Sequence, residues 1–209
     1  MNIDCIERYF PELNKTQKEQ ITALYDLYAD WNSKINVISR KDIENLYERH
    51  VLHSMGISKL LHFKDGSNIM DVGTGGGFPA IPLAILYPNV HFHLVDSINK
   101  KLIVAQEVSG AIGLKNVSIR HCRVEEEKSL FDFVISRAVM PFSDLVKLCK
   151  KNIGKEQRNS MTNGLICLKG GELGHEIASF KNKVIIIELS DYFKEEFFET
   201  KKVVYVPLV

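Results

Sequence analysis

The sequence predicts an α/β fold, with a doubly wound, mostly parallel seven-stranded sheet behind an N-terminal helical extension. Three observations predict it. From Asn68 onward, short apolar runs alternate with helix-period segments, the pattern of parallel strands joined by crossover helices. The run Asp71-Val72-Gly73-Thr74-Gly75-Gly76-Gly77-Phe78-Pro79 leaves the first such strand and enters a helix. The residues before it lack the alternation and read as helix. Residues 1–66 are therefore expected to form the extension, packed on a core of residues 67–209, in one structural domain overall.

The elements follow in order. Thr16-Gln17-Lys18-Glu19 has the capping-box pattern of a helix start. Ile21, Leu24, Tyr28 and Trp31 then recur at helical spacing, and Trp31 is expected to pack these helices, not to stack on a base. A second helix is expected from Ser39 to Asp42 onward, with Ile43, Leu46 and Tyr47 on one side. Strands are expected over 69–72, 91–96, 117–122, 131–136, 165–168, 184–189 and 203–206. Helices are expected over about 79–86, 99–111, 142–150 and 172–180, with Pro79 in a first turn, where a missing N–H is harmless. The polar, aperiodic stretch 151–163 reads as a mobile loop. The last two strands have no helix between them and are expected to be antiparallel.

Composition narrows the function classes. The chain has 209 residues, 45% hydrophobic and 25% charged, and its net charge is +1 from 27 basic and 26 acidic side chains. That balance argues against a protein that coats nucleic acid with its whole surface, and leaves room for a local basic patch. Cys5, Cys122, Cys149 and Cys167 are far apart and form no paired spacing, so they read as reduced thiols of a cytosolic protein. The charged opening MNIDCIERYF is unlike a secretory leader, and no apolar run reaches membrane-spanning length. The expected location is the cytoplasm, with no membrane partner.

The glycine run carries the chemistry. Glycine lets the backbone turn sharply and lets a ligand lie against it. Asp96, ending the next strand, is placed to accept ribose hydroxyls of a nucleoside. Dinucleotide sites share both features, but ask for Gly-x-Gly-x-x-Gly. Here Gly73 and Gly75 match and Phe78 stands at the third position, so a pyrophosphate is disfavoured. Asp71 also sits badly beside a pyrophosphate and suits a cationic sulfonium and α-amino group. The ligand read from these residues is S-adenosylmethionine, with Asp71, Gly73, Gly75, Gly77 and Asp96 as its candidate contacts.

Ligands of such sheets bind outside the carboxyl ends of the strands. There Val124 and Glu125 are candidates to flank an adenine, while Glu126 and Glu127 read as a solvated acidic turn. Arg123, Arg137 and Lys169, each near a strand end, suggest a basic rim for an anionic partner, or three separate ion pairs. Lys100, Lys101, Lys201 and Lys202 are candidates to extend that surface toward phosphate. His50 and His53 lie three apart on a helix without a second ligand pair, so no zinc site is expected.

These residues together resemble the family called glucose-inhibited division protein B, or ribosomal small-subunit methyltransferase G. The matches are Trp31-Asn32, Asn36, Arg49-His50, Ser54, the run from Asp71 to Pro79, Asp96-Ser97 with Lys100-Lys101, Asn116-Val117, Arg123, Glu125, Ser136-Arg137-Ala138 and Lys169-Gly170. The resemblance implies the Rossmann-like fold of class I S-adenosylmethionine-dependent methyltransferases. It implies methyl transfer to N7 of a single guanine of 16S rRNA, guanine 527 in standard numbering. By the same resemblance, Gly73, Phe78, Val124, Glu125 and Arg137 contact the cofactor, and the partner is 16S rRNA in the small subunit or an assembly intermediate, met by a monomer. The sequence departs from the family pattern at His53, where the family usually has Asp, at Ala80, where it often has Gly, and at Lys201-Lys202, where it commonly has an Arg-rich segment.

Guanine N7 carries a lone pair and no proton, so in-line attack needs no general base, and no catalytic residue is assigned. N7 must stay open, so an Arg or Lys is limited to O6 or phosphate. The base is expected to be splayed from its stack, with Phe78 and Phe142 as candidate flanking rings. The competing readings are a methyltransferase of another substrate, a nicotinamide-dependent oxidoreductase and a non-catalytic RNA-binding module.

Overall fold

The computed structural model describes residues 3–39, 41–137, 139–180 and 182–209. Seven strands form one sheet in the order β3-β2-β1-β4-β5-β7-β6. They are β1 (Asn68–Val72), β2 (His91–Asp96), β3 (Val117–His121), β4 (Phe133–Arg137), β5 (Gly164–Gly170), β6 (Ile185–Glu188) and β7 (Lys201–Pro207). The first five are parallel, and β7 runs antiparallel to both of its neighbours, β5 and β6. Chain order reverses between β1 and β4, which sets the ligand crevice at their carboxyl ends.

The central strands are covered on both faces, so their sequences are continuous apolar runs. Successive residues point to opposite faces. Ile69, Phe133, Ile135 and Ile166 enter one hydrophobic cluster, while Met70, Val134, Leu165 and Cys167 enter the other. The second cluster lies under α6 (Phe142–Cys149) and α7 (Gly174–Ile177). The first is covered by α4 (Ala80–Leu86), α5 (Asn99–Ala111) and the N-terminal segment. Ile6, Ile21, Leu24, Leu46 and Leu52 share this cluster with Phe92 of β2, so the extension and the sheet have one core.

The N-terminal segment is α1 (Asp4–Tyr9), α2 (Lys15–Lys34) and an irregular helical run. That run starts as a 3₁₀ turn at Ile43–Asn45, widens to a π-helix over Leu46–Leu52, and ends in α3 (His53–Met55) and a second 3₁₀ turn. It begins later than the sequence suggests, because Ser39 donates to the Asp42 carboxylate in a turn before it. The cap of α2 also lies elsewhere. Asn14, not Thr16, accepts the Gln17 N–H while Gln17 accepts the Asn14 N–H, both at 3.0 Å. Starting there lets the Gln17 amide donate to Ile85 and Leu86 carbonyls at the end of α4, which ties α2 to the sheet layer.

The polar stretch expected to be mobile is fastened at three asparagines. Asn152 donates to the Glu127 and Ser129 carbonyls, Asn159 exchanges bonds with Ser67, and Asn163 donates to Gly154 and Glu156. Phe131 bonds and bridges into this stretch, which is why β4 begins only at Phe133. Among the described residues, no helix is long and apolar enough to cross a membrane.

Pairing of β5 with β7 runs the full length of β5, and it needs Gly164. A Cβ there would lie 2.2 Å from the Val206 carbonyl oxygen. We expect Gly164→Ala to cost about 1–3 kcal/mol or more of stability by overpacking, measurable as a lowered denaturation midpoint in urea.

Candidate cofactor and base site

The turn from β1 into α4 is folded around two carboxylates. Asp71 is fully buried and accepts from the Thr74 hydroxyl at 2.7 Å and the Ala80 N–H at 3.1 Å, both on Oδ2. Burial pushes its pKa up to about 7, against the lowering effect of those two bonds and of Arg137. Asp96 accepts the Gly75 N–H at 2.9 Å on one oxygen and the Ile98 N–H at 2.8 Å on the other. The loop is thereby pinned from below by the end of β1 and from the side by the end of β2.

Three loop glycines have positive φ: Gly73 at 67°, Gly75 at 57° and Gly77 at 104°. Their environments differ. A Cβ on Gly73 would collide with Val139 at 2.5 Å, and one on Gly77 would collide with Ile81 at 2.3 Å, whereas Gly75 has open space. Gly77 is therefore needed for packing inside the helix start, and Gly73 for the close approach of Val139.

Two cavities open at the carboxyl ends of the strands. The first, of about 510 Å³, is lined by Gly73, Asp96, Ser97, Val124, Glu125 and Arg137, among others. Lys101 and Arg123 stand on its rim. Sequence reasoning did not pick out its apolar walls, Val72, Val95, Cys122 and Leu148, which are ordinary core types at strand ends and on α6. The second cavity, of about 610 Å³, is walled by the N-terminal segment through Asp42, Arg49, His50 and His53, and by Lys169, Phe197 and Lys201 from the far side. Arg137, Val139 and Met140 line both cavities, so the two meet at one wall.

Several candidate residues lie outside the first cavity's lining. Asp71 sits beneath the loop and organises it, so its carboxylate is not presented to a ligand as expected. Phe78 is buried against the Tyr28 ring at 4.8 Å and the His50 ring at 5.3 Å, with the Arg137 guanidinium 5.0 Å from its centre. It therefore supports Arg137 from behind and neither blocks a phosphate nor flanks a base. Phe142 is buried edge-on to Phe180 and is no flanking ring either. Gly75, Gly77 and the exposed Lys100 line neither cavity, and Ala138 falls outside the described residues.

The basic rim is smaller than the residue types suggest. Lys169 donates to Glu176 at 2.7 Å and to the Met140 carbonyl, and Lys202 pairs with Glu188 at 2.5 Å. Lys201 lies 4.6 Å from the Phe197 ring centre and faces the second cavity. Glu127 is not a solvated acid. It is fully buried, and bonds from Ser129, His93 and Lys128 outweigh burial to hold its pKa near about 2.

The two histidines at which no zinc site is expected, His50 and His53, line the second cavity. Burial, followed by the Arg137 charge, holds His50 down at about 3, and the same causes hold His53 well below its ordinary value. Both are neutral at neutral pH, and His50 Nδ1 and His53 Nε2 are buried without a hydrogen-bond partner. Arg137 remains a cation, its pKa lowered by burial to about 10.

The architecture is that of a class I S-adenosylmethionine-dependent methyltransferase. A SAM-dependent methyltransferase from Aquifex aeolicus superposes with a TM-score of 0.54 at 18% identity, covering 82% of this chain and 100% of that one. Aeropyrum pernix fibrillarin, solved with natively bound S-adenosyl-L-methionine, superposes at 0.56 with 12% identity, covering 76% and 74%. The family model for rRNA small subunit methyltransferase G matches residues 17–204. Ribosomal RNA small subunit methyltransferase G of Parabacteroides distasonis is 72% identical over 200 residues, covering 96% of this chain and 87% of that protein. Its counterpart from Bacteroides thetaiotaomicron is 67% identical over 203 residues, covering 97% and 98%. The chain belongs to the rRNA small subunit methyltransferase G family.

A histidine kept neutral in the fold destabilises it in acid. The unfolded state takes up a proton below about pH 6.5, whereas folded His50 does so only near about 3. Stability is thus full above the unfolded value and is lost as pH falls through that window. We expect His50→Asn to shrink the fall in thermal midpoint between pH 6.5 and 4 relative to the parent chain.

Proposed function

We propose that this chain transfers a methyl group from S-adenosylmethionine to N7 of one guanine in 16S rRNA, guanine 527 in standard numbering. The observation that carries this reading is the pair of cavities joined at Arg137, Val139 and Met140. One is shaped for a nucleoside and the other opens beside it for an acceptor, as methyl transfer between two bound molecules requires. The family's name, shared by relatives at 72% and 67% identity, supplies the RNA substrate.

The first cavity suits the methyl donor. Asp96 presents its carboxylate to a ribose, Val124 and Glu125 flank an adenine, and Gly73 lets Val139 of the shared wall pack against the loop. When bound, the donor supplies an electrophilic methyl on a sulfonium. The acceptor's lone pair at N7 needs no proton removed, so the residues act by orientation. Holding the reacting atoms in line is worth up to roughly 7–11 kcal/mol in well-oriented systems. Arg137, braced by Phe78 and by attraction to Asp71, holds the shared wall and is placed for O6, leaving N7 open. Lys100, Lys101, Arg123 and Lys201 are proposed to meet RNA phosphates, while Lys169 and Lys202 are held by their carboxylates and shape the wall. The 1–66 extension supplies Asp42, Arg49, His50 and His53 to the acceptor side. Both cavities come from one copy, so the enzyme is read as a monomer, acting in the cytoplasm on the small subunit or an assembly intermediate.

Incubation with radiolabelled donor and unmethylated small subunits, beside protein-free 16S rRNA, tests this. Label at one guanine that becomes sensitive to N7-specific strand scission is the expected result, and no labelled guanine would overturn it. Arg137→Ala should lower kcat/KM by roughly ten- to a hundred-fold, the effect of one hydrogen bond to a charged group. An unchanged rate would remove Arg137 from the site.

A further inference from the structure

The second cavity has a polarity that the reaction itself does not require. Of its four cations, Arg49 is bonded to Asp42 and Lys169 to Glu176, and Arg137 and Lys201 face the space with one acid among the described lining residues, Asp42, on a part of the wall the first cavity does not share. Asp42 accepts from Arg49 at 2.8 Å on one oxygen and from Ser39 at 2.9 Å on the other. An ionised carboxylate has about four lone-pair sites, so each oxygen keeps capacity for a further donor. The side chain is about one-third exposed, which leaves that capacity open to the cavity.

Orphaned groups surround the same space. Arg49 Nε, His50 Nδ1 and His53 Nε2 are buried without partners, and all three residues line this cavity. These atoms lie within the wall itself, so they make the wall polar and leave Asp42 and the cations to meet a ligand.

We propose that Asp42 selects guanine, accepting N1–H and the N2 amino group of the base while a cation of the opposite wall meets O6. The proposal rests on the methyltransferase reading above. Guanine places one acceptor and two adjacent donors along a single edge, and this cavity offers cations and one carboxylate to match them. Adenine would turn an acceptor nitrogen toward Asp42 and be repelled. The other face of guanine then leaves N7 free toward the wall shared with the first cavity. Ser39 and Arg49 hold the Asp42 carboxyl below its ordinary range despite partial burial, so it is an anion at neutral pH. Asp42 is in this account a specificity residue, supplied by the turn ahead of the irregular helical run.

Inosine tests the assignment, since it keeps O6, N1–H and N7 and lacks only the 2-amino group. Small subunits reconstituted with RNA carrying guanosine or inosine at the target would be compared by kcat/KM. The parent enzyme should favour guanosine by roughly ten-fold or more, the value of one hydrogen bond to a charged acceptor. Asp42→Asn should bring the ratio to about one or below, because its amide NH₂ opposes a base N–H, while donor binding in the first cavity stays unchanged. Should that variant fail to fold, Asp42→Ser carries the same comparison. An Asp42 variant that keeps the parent's ratio, or a parent enzyme that treats both bases alike, overturns the proposal. A purely structural Asp42–Arg49 pair would alter stability and leave the ratio intact. If the parent enzyme labels no guanine at all, the underlying reading fails instead, and the two failures are told apart.

Discussion

Two carboxylates hold the glycine loop, and the rest of the site depends on them. Asp71 ties the loop to the end of β1 through Thr74 and Ala80, and Asp96 ties it to the end of β2 through Gly75. A loop of flexible residues would otherwise lie over the crevice. Pinned at both ends, it leaves the space above the β1/β4 switch point clear, and that space is the first cavity. Asp71 stays buried with one oxygen unpartnered, and Arg137 stands near enough to lower its pKa. The residue that fixes the loop therefore also helps to fix the cation that separates the two cavities.

The second cavity shows why the N-terminal segment is part of the enzyme's core. Tyr28 of α2 donates to the Gly76 carbonyl at 2.7 Å, and Val37 packs against Gly76, so the extension grips the glycine loop directly. Asn32 shapes the turn after α2 by accepting from Val37 and Ile38 and donating to the Ile38 carbonyl. These contacts place Asp42, His50 and His53 opposite Lys201 of β7, residues more than a hundred positions apart in the chain. Burial makes both histidines neutral, so the cavity wall carries two uncharged polar side chains besides its cations and its acid.

Much of this was legible in the sequence because it rests on local patterns. Strand alternation, the glycine run, and Asp96 after the second strand each follow from spacing along a short segment. The antiparallel finish followed from the lack of a crossover helix, although nothing in the sequence indicates that β7 inserts between β5 and β6. What could not be read was direction and distance. Asp71 and Phe78 belong to the motif, but their side chains turn into the core, and motif spacing says nothing of that turn. Lys169 and Lys202 look like free cations until Glu176 and Glu188 are seen beside them. The acidic run hides a buried Glu127 because the groups that satisfy it, His93 and Arg120, come from neighbouring strands. The second cavity is assembled from short pieces of distant segments, and the pairs Arg49-His50 and Lys169-Gly170 do not by themselves say that they face one another across it.

The central claim is that the pinned loop and Asp96 seat a sulfonium nucleoside, with its reactive end against the Arg137, Val139 and Met140 wall. A crystal structure with S-adenosylhomocysteine tests it most directly. The account predicts the ribose hydroxyls on Asp96, the adenine beside Val124, and the sulfur at the wall common to both cavities. A ligand bound elsewhere, or with its sulfur turned away from that wall, would contradict it.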